Sequence, residues 1–488
     1  MQTATPATTM RMPDSDAALA VHEAAVARDL ELLGLPPRNW PATVPGPNGQ
    51  PMLDVLVVGA GMCGIAAAIA LLHKGVRNIQ VLDRNPDGQE GPWVTYARME
   101  TLRSPKHLPG PCLGIPSLTF RAWYEAQHGV AAWEALYKIP NGVWQDYLTW
   151  LKRMLRLPVH NGVEVTHLTL LEHGLRATLR DGSALYARRV VLANGRGGAG
   201  GWQIPDFVDP TLWPDLAAHT NEAVDFTALR GRRIAVIGGG PSAWDNAATA
   251  LELGAASAEM YVRRSELPQI NKGRGSANPG FFEGWAALDA ADKWALLVYM
   301  NDLQSPPPHE TVHRAIALPG FAIHLGTPVL AARRAGSHVA LQLSDRCVEA
   351  DFLIVGTGFR IDLAHEPLLA DILDDIATWG DRYMPPAELV REELSRYPWL
   401  GDGFELVERR SGRNSAIGRV HLFNHAALAS LGALASDIPG VNVGAERLAS
   451  RIAQHFFRED IGVMRANLEA FDEPELQGTP FFTLHRHR

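Results

Sequence analysis

Twice in this chain an apolar, strand-like run stops abruptly at a glycine-rich turn and gives way to helical spacing, a pattern that demands a parallel α/β unit each time. The first run, Leu53 to Val58, ends at Gly59-Ala60-Gly61-Met62-Cys63-Gly64. Ile65 to His73 then has helical spacing, and a second apolar run, Ile79 to Leu82, ends at Asp83. Strand, turn, helix, strand and acid in this register form the dinucleotide-binding fingerprint. Gly59 permits the tight turn, Gly61 lets the backbone approach a pyrophosphate, and Gly64 lets the helix pack on the strand. Asp83 falls where a carboxylate accepts ribose hydroxyls, with Arg84 beside it.

The pattern returns at Ile234 to Ile237, followed by Gly238-Gly239-Gly240-Pro241-Ser242-Ala243, a helix over Trp244 to Leu253 and a strand over Ala258 to Val262. Here the strand ends in Arg263-Arg264 rather than an acid. A carboxylate would repel a 2′-phosphate, whereas guanidinium groups bind one bidentately, so the second cradle is expected to prefer NADPH to NADH. The plainer alternative is a solvated strand end.

One acidic and one basic cradle imply two different nucleotides, FAD and NADPH. The first module closes with the strand-like Arg189 to Ala193 and Asn194-Gly195, and a similar strand, Asp351 to Val355, closes at Gly356-Thr357-Gly358. The expected fold is therefore α/β, with two Rossmann-like dinucleotide-binding domains and the NADPH domain inserted into the FAD domain. Residues 1–50 form a proline-rich extension with a helix-like stretch, Asp16 to Leu33, placed against the surface or an oligomer partner; a homodimer stays open. Residues 51–200 begin the FAD domain, 201–355 form the NADPH domain, and 356–488 complete the FAD domain with C-terminal helices. The glycines between Gly195 and Gly201 suggest a mobile linker that acts as a hinge.

Composition removes several other classes. A net charge of −8 with scattered arginines gives no electrostatic support for nucleic-acid binding. No apolar run approaches the roughly 20 residues that cross a bilayer, and Met1 to Met12 lacks the layout of a secretory signal, so a cytoplasmic protein is expected. The three cysteines, Cys63, Cys112 and Cys347, form no C-x-x-C pair, which argues against a redox dithiol or a cysteine zinc site. His309-Glu310-Thr311-Val312-His313 matches the zinc motif H-E-x-x-H, but Pro306-Pro307-Pro308 prevents a helix from running into it, and no metal is expected. The short basic tail, His485 to Arg488, is expected to fray.

From about Leu53 to Phe457 the chain resembles the class B flavin monooxygenases, a family of two-dinucleotide flavoproteins that includes flavin-containing monooxygenases, Baeyer-Villiger enzymes and the N-hydroxylases of ornithine and lysine. The resemblance rests on both glycine turns and on Val355-Gly356-Thr357-Gly358-Phe359, which is similar to the A-T-G-F/Y linker. Gly91-Pro92-Trp93, Leu102-Arg103-Ser104-Pro105-Lys106, Phe423-Asn424-His425 and Ala429-Ser430-Leu431-Gly432 resemble flavin-side segments. Where the F-x-G-x-x-x-H signature belongs, the chain has Trp213-Pro214-Asp215-Leu216-Ala217-Ala218-His219, keeping an aromatic and the histidine; the longer Baeyer-Villiger form meets Ala223.

This resemblance implies that NADPH reduces FAD, that molecular oxygen adds at the flavin C4a to give a (hydro)peroxyflavin, and that a nucleophilic nitrogen or sulfur of a small molecule is oxygenated. Baeyer-Villiger oxidation of a ketone, or NADPH oxidation without oxygenation, are the alternatives. Trp93, Ser104, Gly358 and Leu431 would contact cofactor alongside the two cradles. Lys106 would donate to the flavin edge, and Asn271, with Lys272 beside it, and Asn424 would orient nicotinamide or substrate. Trp93, Tyr96, Trp123, Tyr124 and Trp144 either line a pocket or, for most of them, pack the core. The helical spacing from Trp144 to Leu151 predicts a helix on the outside of the FAD domain.

Overall fold

The computed structural model describes residues 11–483 apart from Pro13 and Asn48. All of Met1 to Met12 but its last two residues, and the whole tail His485 to Arg488, lie outside the described residues. Two parallel sheets organise the chain. In the first, the strands run in the order Val159–Asn161, Ile79–Asp83, Leu53–Val58 and Ala184–Leu192, all parallel. The antiparallel hairpin of Val165–Leu171 and Gly174–Leu179 pairs with the start of Ala184–Leu192, and Val420–Leu422 pairs parallel with its end. Val55, Leu56 and Val57 are wholly buried, so both faces of this strand are covered, which is why it is a continuous apolar run rather than an alternating one. The helices Met62–His73 and Val441–Glu459 pack together over it.

The second sheet is also parallel, in the order Phe321–Leu325, Ser257–Val262, Arg233–Ile237, Phe352–Val355 and Ala217–His219. Helix Pro241–Glu252 covers one face; a three-stranded antiparallel sheet, Ala331–Ala335, His338–Gln342 and Cys347–Ala350, closes a separate core against the other. The chain enters and leaves this module along an antiparallel pair, Gly200–Trp202 with Phe359–Ile361. The glycine-rich stretch expected to be a mobile linker is thus partly a paired strand, preceded by the wholly buried Ala199.

One region of the expected NADPH domain packs elsewhere. Trp285, Trp294, Leu297 and Val298, expected inside the NADPH domain, join the first core instead. The two indole N–H groups donate to carbonyls of the return segment, Trp285 to Ala429 at 3.2 Å and Trp294 to Leu389 at 2.7 Å. Tryptophans of this size need a large apolar enclosure, and the first core supplies it. The N-terminal helix, Ser15–Leu32, packs against helix Phe120–His128 of the FAD domain; Val26 is wholly buried there, and Glu23 accepts from Trp150 and Arg153.

Candidate active site at the carboxyl edge of the first sheet

Val58, Leu192 and Leu422 stand side by side in register, so the loops that begin at Gly59, Ala193 and Phe423 leave the sheet together. In open α/β sheets, ligands bind outside this carboxyl edge. Two kinds of glycine occur in the first turn. Gly64 is required by packing, since a Cβ there would lie 1.8 Å from the Gly59 carbonyl oxygen. Gly61 is not: its φ is −67°, and the nearest atom a Cβ would meet is the Gly91 Cα at 3.7 Å. The space in front of Gly61, over the N-terminus of helix Met62–His73, suits a pyrophosphate held by backbone N–H groups. Gly240 in the second turn repeats this, with a φ of −76° and nothing within 4 Å of a Cβ, and Pro241 and the exposed Ser242 open the helix behind it. Gly238, at φ +124°, occupies the turn position that matches Gly59 at +104°.

Asp83 is buried at the end of its strand, and burial pushes its pKa up. One carboxylate oxygen accepts the Ala60 N–H at 2.8 Å and the other accepts the Asn85 N–H at 2.8 Å. The acid expected to meet a ribose therefore also braces the glycine turn, and its remaining lone pairs stay available. Arg84 beside it is exposed. Gly91-Pro92-Trp93 folds over the turn, with Trp93 edge-on to Trp144 at 6.1 Å and its buried Nε1 without a partner. Sequence reasoning missed Glu90, which is 1% exposed and accepts from Lys152, from Asn161 at 2.7 Å and from Gln145 at 3.2 Å.

In the second module Arg263 is exposed at the end of its strand, and Arg264 reaches the Asp302 carbonyl at 3.4 Å. The two modules meet through Arg103, whose guanidinium donates to Asp245 at 3.1 Å. Asp245 lies on helix Pro241–Glu252, is 2% exposed, and also accepts from the Thr311 hydroxyl at 3.2 Å. Behind the hinge, His219 is wholly buried at the end of its edge strand. Its ring lies on Trp202, with centroids 5.5 Å apart and planes within 7°, and burial lowers its pKa to about 4.

Residues 56–276 match the pattern of a family described as pyridine nucleotide-disulphide oxidoreductase. The FAD-dependent urate hydroxylase of Xanthomonas campestris pv. campestris is 40% identical over 462 residues, which is 94% of this chain and 98% of that protein. The chain belongs to this flavin-dependent monooxygenase family. Among solved structures, the reduced ornithine hydroxylase of Pseudomonas aeruginosa superposes with a TM-score of 0.65 at 20% identity, covering 83% of this chain and 99% of that one. The Kutzneria ornithine N-hydroxylase also gives 0.65, at 14% identity, covering 83% and 100%. Among the described residues the three cysteines, Cys63, Cys112 and Cys347, are free.

The monooxygenase does not gather its expected catalytic residues. Lys106 donates to the Trp133 and Glu134 carbonyls at 2.7 and 3.2 Å and lies over the Trp133 ring, so it caps the short helix Val130–Ala135 rather than a flavin edge. Asn271 is exposed and caps the one-turn helix Lys272–Gly275 through the Arg274 N–H, and Lys272 lies over the Tyr299 ring. Leu431 is 2% exposed within the first core, which takes its side chain away from any ligand. Ser104 is half-buried, and Gly358 lies on the hinge, where its carbonyl accepts from the Gln203 N–H. Asn424 is at the sheet edge, 1% exposed: it donates to Asn194 at 2.9 Å, and Asn194 donates to Glu366 at 3.0 Å. This hydrogen-bonded chain ties the loops at the edge together. Trp123, Tyr124 and Trp144 are buried core residues, while Tyr96 is half-buried near the edge. The helix Asn141–Met154 buries Trp144, Tyr147, Leu148 and Leu151 and so belongs to the core rather than the outside.

His309 to His313 do lie on a helix, one that starts at His309 itself. Glu310 is ion-paired to Lys138, and His309 is exposed. Among the described residues, no group of three or more His, Cys, Asp or Glu has the geometry to hold a metal ion. No described helix is long and apolar enough to cross a membrane.

Proposed function

We propose that this monooxygenase holds FAD at Gly59–Gly64 and NADPH at Gly238–Ala243, and hydroxylates urate or a closely related oxidised purine. The observation that carries the substrate is the 40% identity to an FAD-dependent urate hydroxylase across 94% of the chain, a span that includes both cradles and the return segment. Urate is an electron-rich ring and therefore a nucleophile toward an activated oxygen, in place of the nucleophilic nitrogen or sulfur that the family resemblance implies.

The bound flavin, once reduced by the nicotinamide nucleotide, supplies the oxygen-activating chemistry. The chain's own part is to bind, orient and exclude water. Backbone N–H groups at the two helix N-termini would hold the pyrophosphates, and the unopposed Arg263 would bind the 2′-phosphate. The buried Asn424 and Glu366 and the half-buried Asn194 between them keep the sheet-edge loops in one arrangement. Burial and the Arg196 charge hold the His425 imidazole neutral, since its pKa is pushed well below the ordinary value. Each turnover consumes one urate, one NADPH, one proton and one O2, and yields hydroxylated product, NADP+ and water.

Purified holoenzyme mixed with NADPH and oxygen should remove the urate ultraviolet band with matching NADPH and O2 consumption. L-ornithine, a thioether and a cyclic ketone run in parallel. Hydroxylamine, sulfoxide or lactone from one of these, with urate untouched, would replace the urate reading by nitrogen, sulfur or Baeyer-Villiger oxygenation. NADPH oxidation that yields only hydrogen peroxide with every compound would indicate an oxidase.

A further inference from the structure

Across the first sheet the strand order fixes which end of a bound dinucleotide goes where. Ile79–Asp83 lies on one side of Leu53–Val58, and Ala184–Leu192 and Val420–Leu422 lie on the other. With a pyrophosphate over the central glycine turn and the ribose toward Asp83, the redox ring would extend toward the loops that follow Leu192 and Leu422. Those loops carry Arg196 and His425, and Asn424 clamps them by donating to Asn194 at 2.9 Å and to the Gly198 carbonyl at 3.4 Å.

Arg196 is 46% exposed in its side chain, and its nearest carboxylate, Asp437, is 3.9 Å away and half-exposed, a separation that leaves its guanidinium donors largely unused. The His425 Nδ1 is buried and has no hydrogen-bond partner. The Arg196 charge also reaches two phenols at this edge, Tyr96 and Tyr397. Both phenols are protonated at neutral pH, and burial raises them further, Tyr397 to about 12, so they present hydroxyls rather than negative charge. The other nearby acid, Glu366, is buried and hydrogen-bonded to Asn194 and to the Leu368 N–H.

We infer that Arg196 is the specificity-determining residue of the substrate pocket, an anion anchor that with His425 and Tyr397 selects a planar anionic heterocycle and rejects an ammonium substrate. Rejection follows from the same geometry. An alkylammonium entering here meets a fixed cation and finds no unengaged buried carboxylate to replace its water. A urate monoanion instead gains guanidinium donors and, from the imidazole and phenol, neutral hydrogen-bonding groups matched to its ring edge.

The inference rests on the urate reading, and the test separates the two. Arg196→Gln and Arg196→Lys holoenzymes are compared with wild type for flavin content per chain, urate KM and kcat. The expected result for Arg196→Gln is wild-type flavin content and a KM raised about tenfold or more, with kcat changed far less. Arg196→Lys should recover part of the KM. A KM within about twofold of wild type in Arg196→Gln overturns the anchor while leaving the urate reading intact. Loss of flavin from that variant also overturns it, assigning Arg196 to the cofactor. Should wild type ignore urate and hydroxylate L-ornithine instead, both readings fall together.

Discussion

The His219 Nε2 lies 3.0 Å from the carbonyl oxygen of Gly358, so the last residue of an edge strand in the second module holds the turn by which the chain returns to the first. The tautomer is set by a second contact: Nδ1 accepts the Asn221 N–H at 3.2 Å, which leaves the proton on Nε2 to donate to Gly358. A glutamine at 219 cannot reproduce the stack on Trp202 or both contacts. His219→Gln should lower thermal stability by about 1–3 kcal/mol at pH 7.5.

That difference should also depend on pH. The folded pKa of His219, about 4, lies below its ordinary 6.5. Between those values the unfolded chain binds the proton and the folded chain does not. The stability tied to neutral His219 is therefore fully present above about pH 6.5 and drains away as pH falls through 6.5 toward 4. Thermal melts of wild type and His219→Gln at pH 7.5, 6.5 and 5.5 should show the gap closing on acidification; a constant gap would contradict the assignment.

The glycines of the first turn should separate into folding and binding positions. Gly64→Ala drives a Cβ into the Gly59 carbonyl and should yield little folded protein. Gly61→Ala meets no obstacle within the chain and should fold, yet purify with much less flavin, as read from the visible spectrum. Gly240→Ala should keep its flavin and raise the NADPH KM.

Arg263 should discriminate between nicotinamide nucleotides. Arg263→Ala removes a guanidinium that contacts nothing else among the described residues, so the fold should not suffer. Steady-state kinetics should show the NADPH KM rising about tenfold or more with that for NADH nearly unchanged.

Lys106 provides the opposite contrast. Lys106→Met removes the donor to two carbonyls at the end of helix Val130–Ala135 and should cost about 1 kcal/mol of stability. The flavin spectrum and kcat should stay close to wild type; a kcat lower by about a hundredfold would return Lys106 to the flavin edge.

Much of the first module was legible because its determinants are local. Leu53 to Val58, the turn that follows and Asp83 obey a spacing set by one strand, one turn and one helix; the structure reproduces both strands to within a residue, while the helix begins three residues earlier than its apolar spacing suggested, at Met62 inside the glycine turn. His219 was visible as a remnant of a motif, but its work at the hinge was not, because Gly358 lies 139 residues further along the chain. Lys106 and Asn271 were misplaced for a related reason. A polar residue near a flavin-side segment and a polar residue capping a helix look alike until the neighbouring carbonyls are known.

Sequence alone determined the two α/β cradles, the order in which the chain builds them, and the charge difference between Asp83 and Arg263, since these follow from hydrophobic period, turn chemistry and residue type. Tertiary structure alone decided which loops share the sheet edge and that Trp285 and Trp294 pack outside their own module. It also decided that Arg196 faces that edge with its donors largely unused. Those outcomes depend on strand register and on contacts between segments hundreds of residues apart, whose energies are comparable to those of the alternatives and become definite only when the whole core closes.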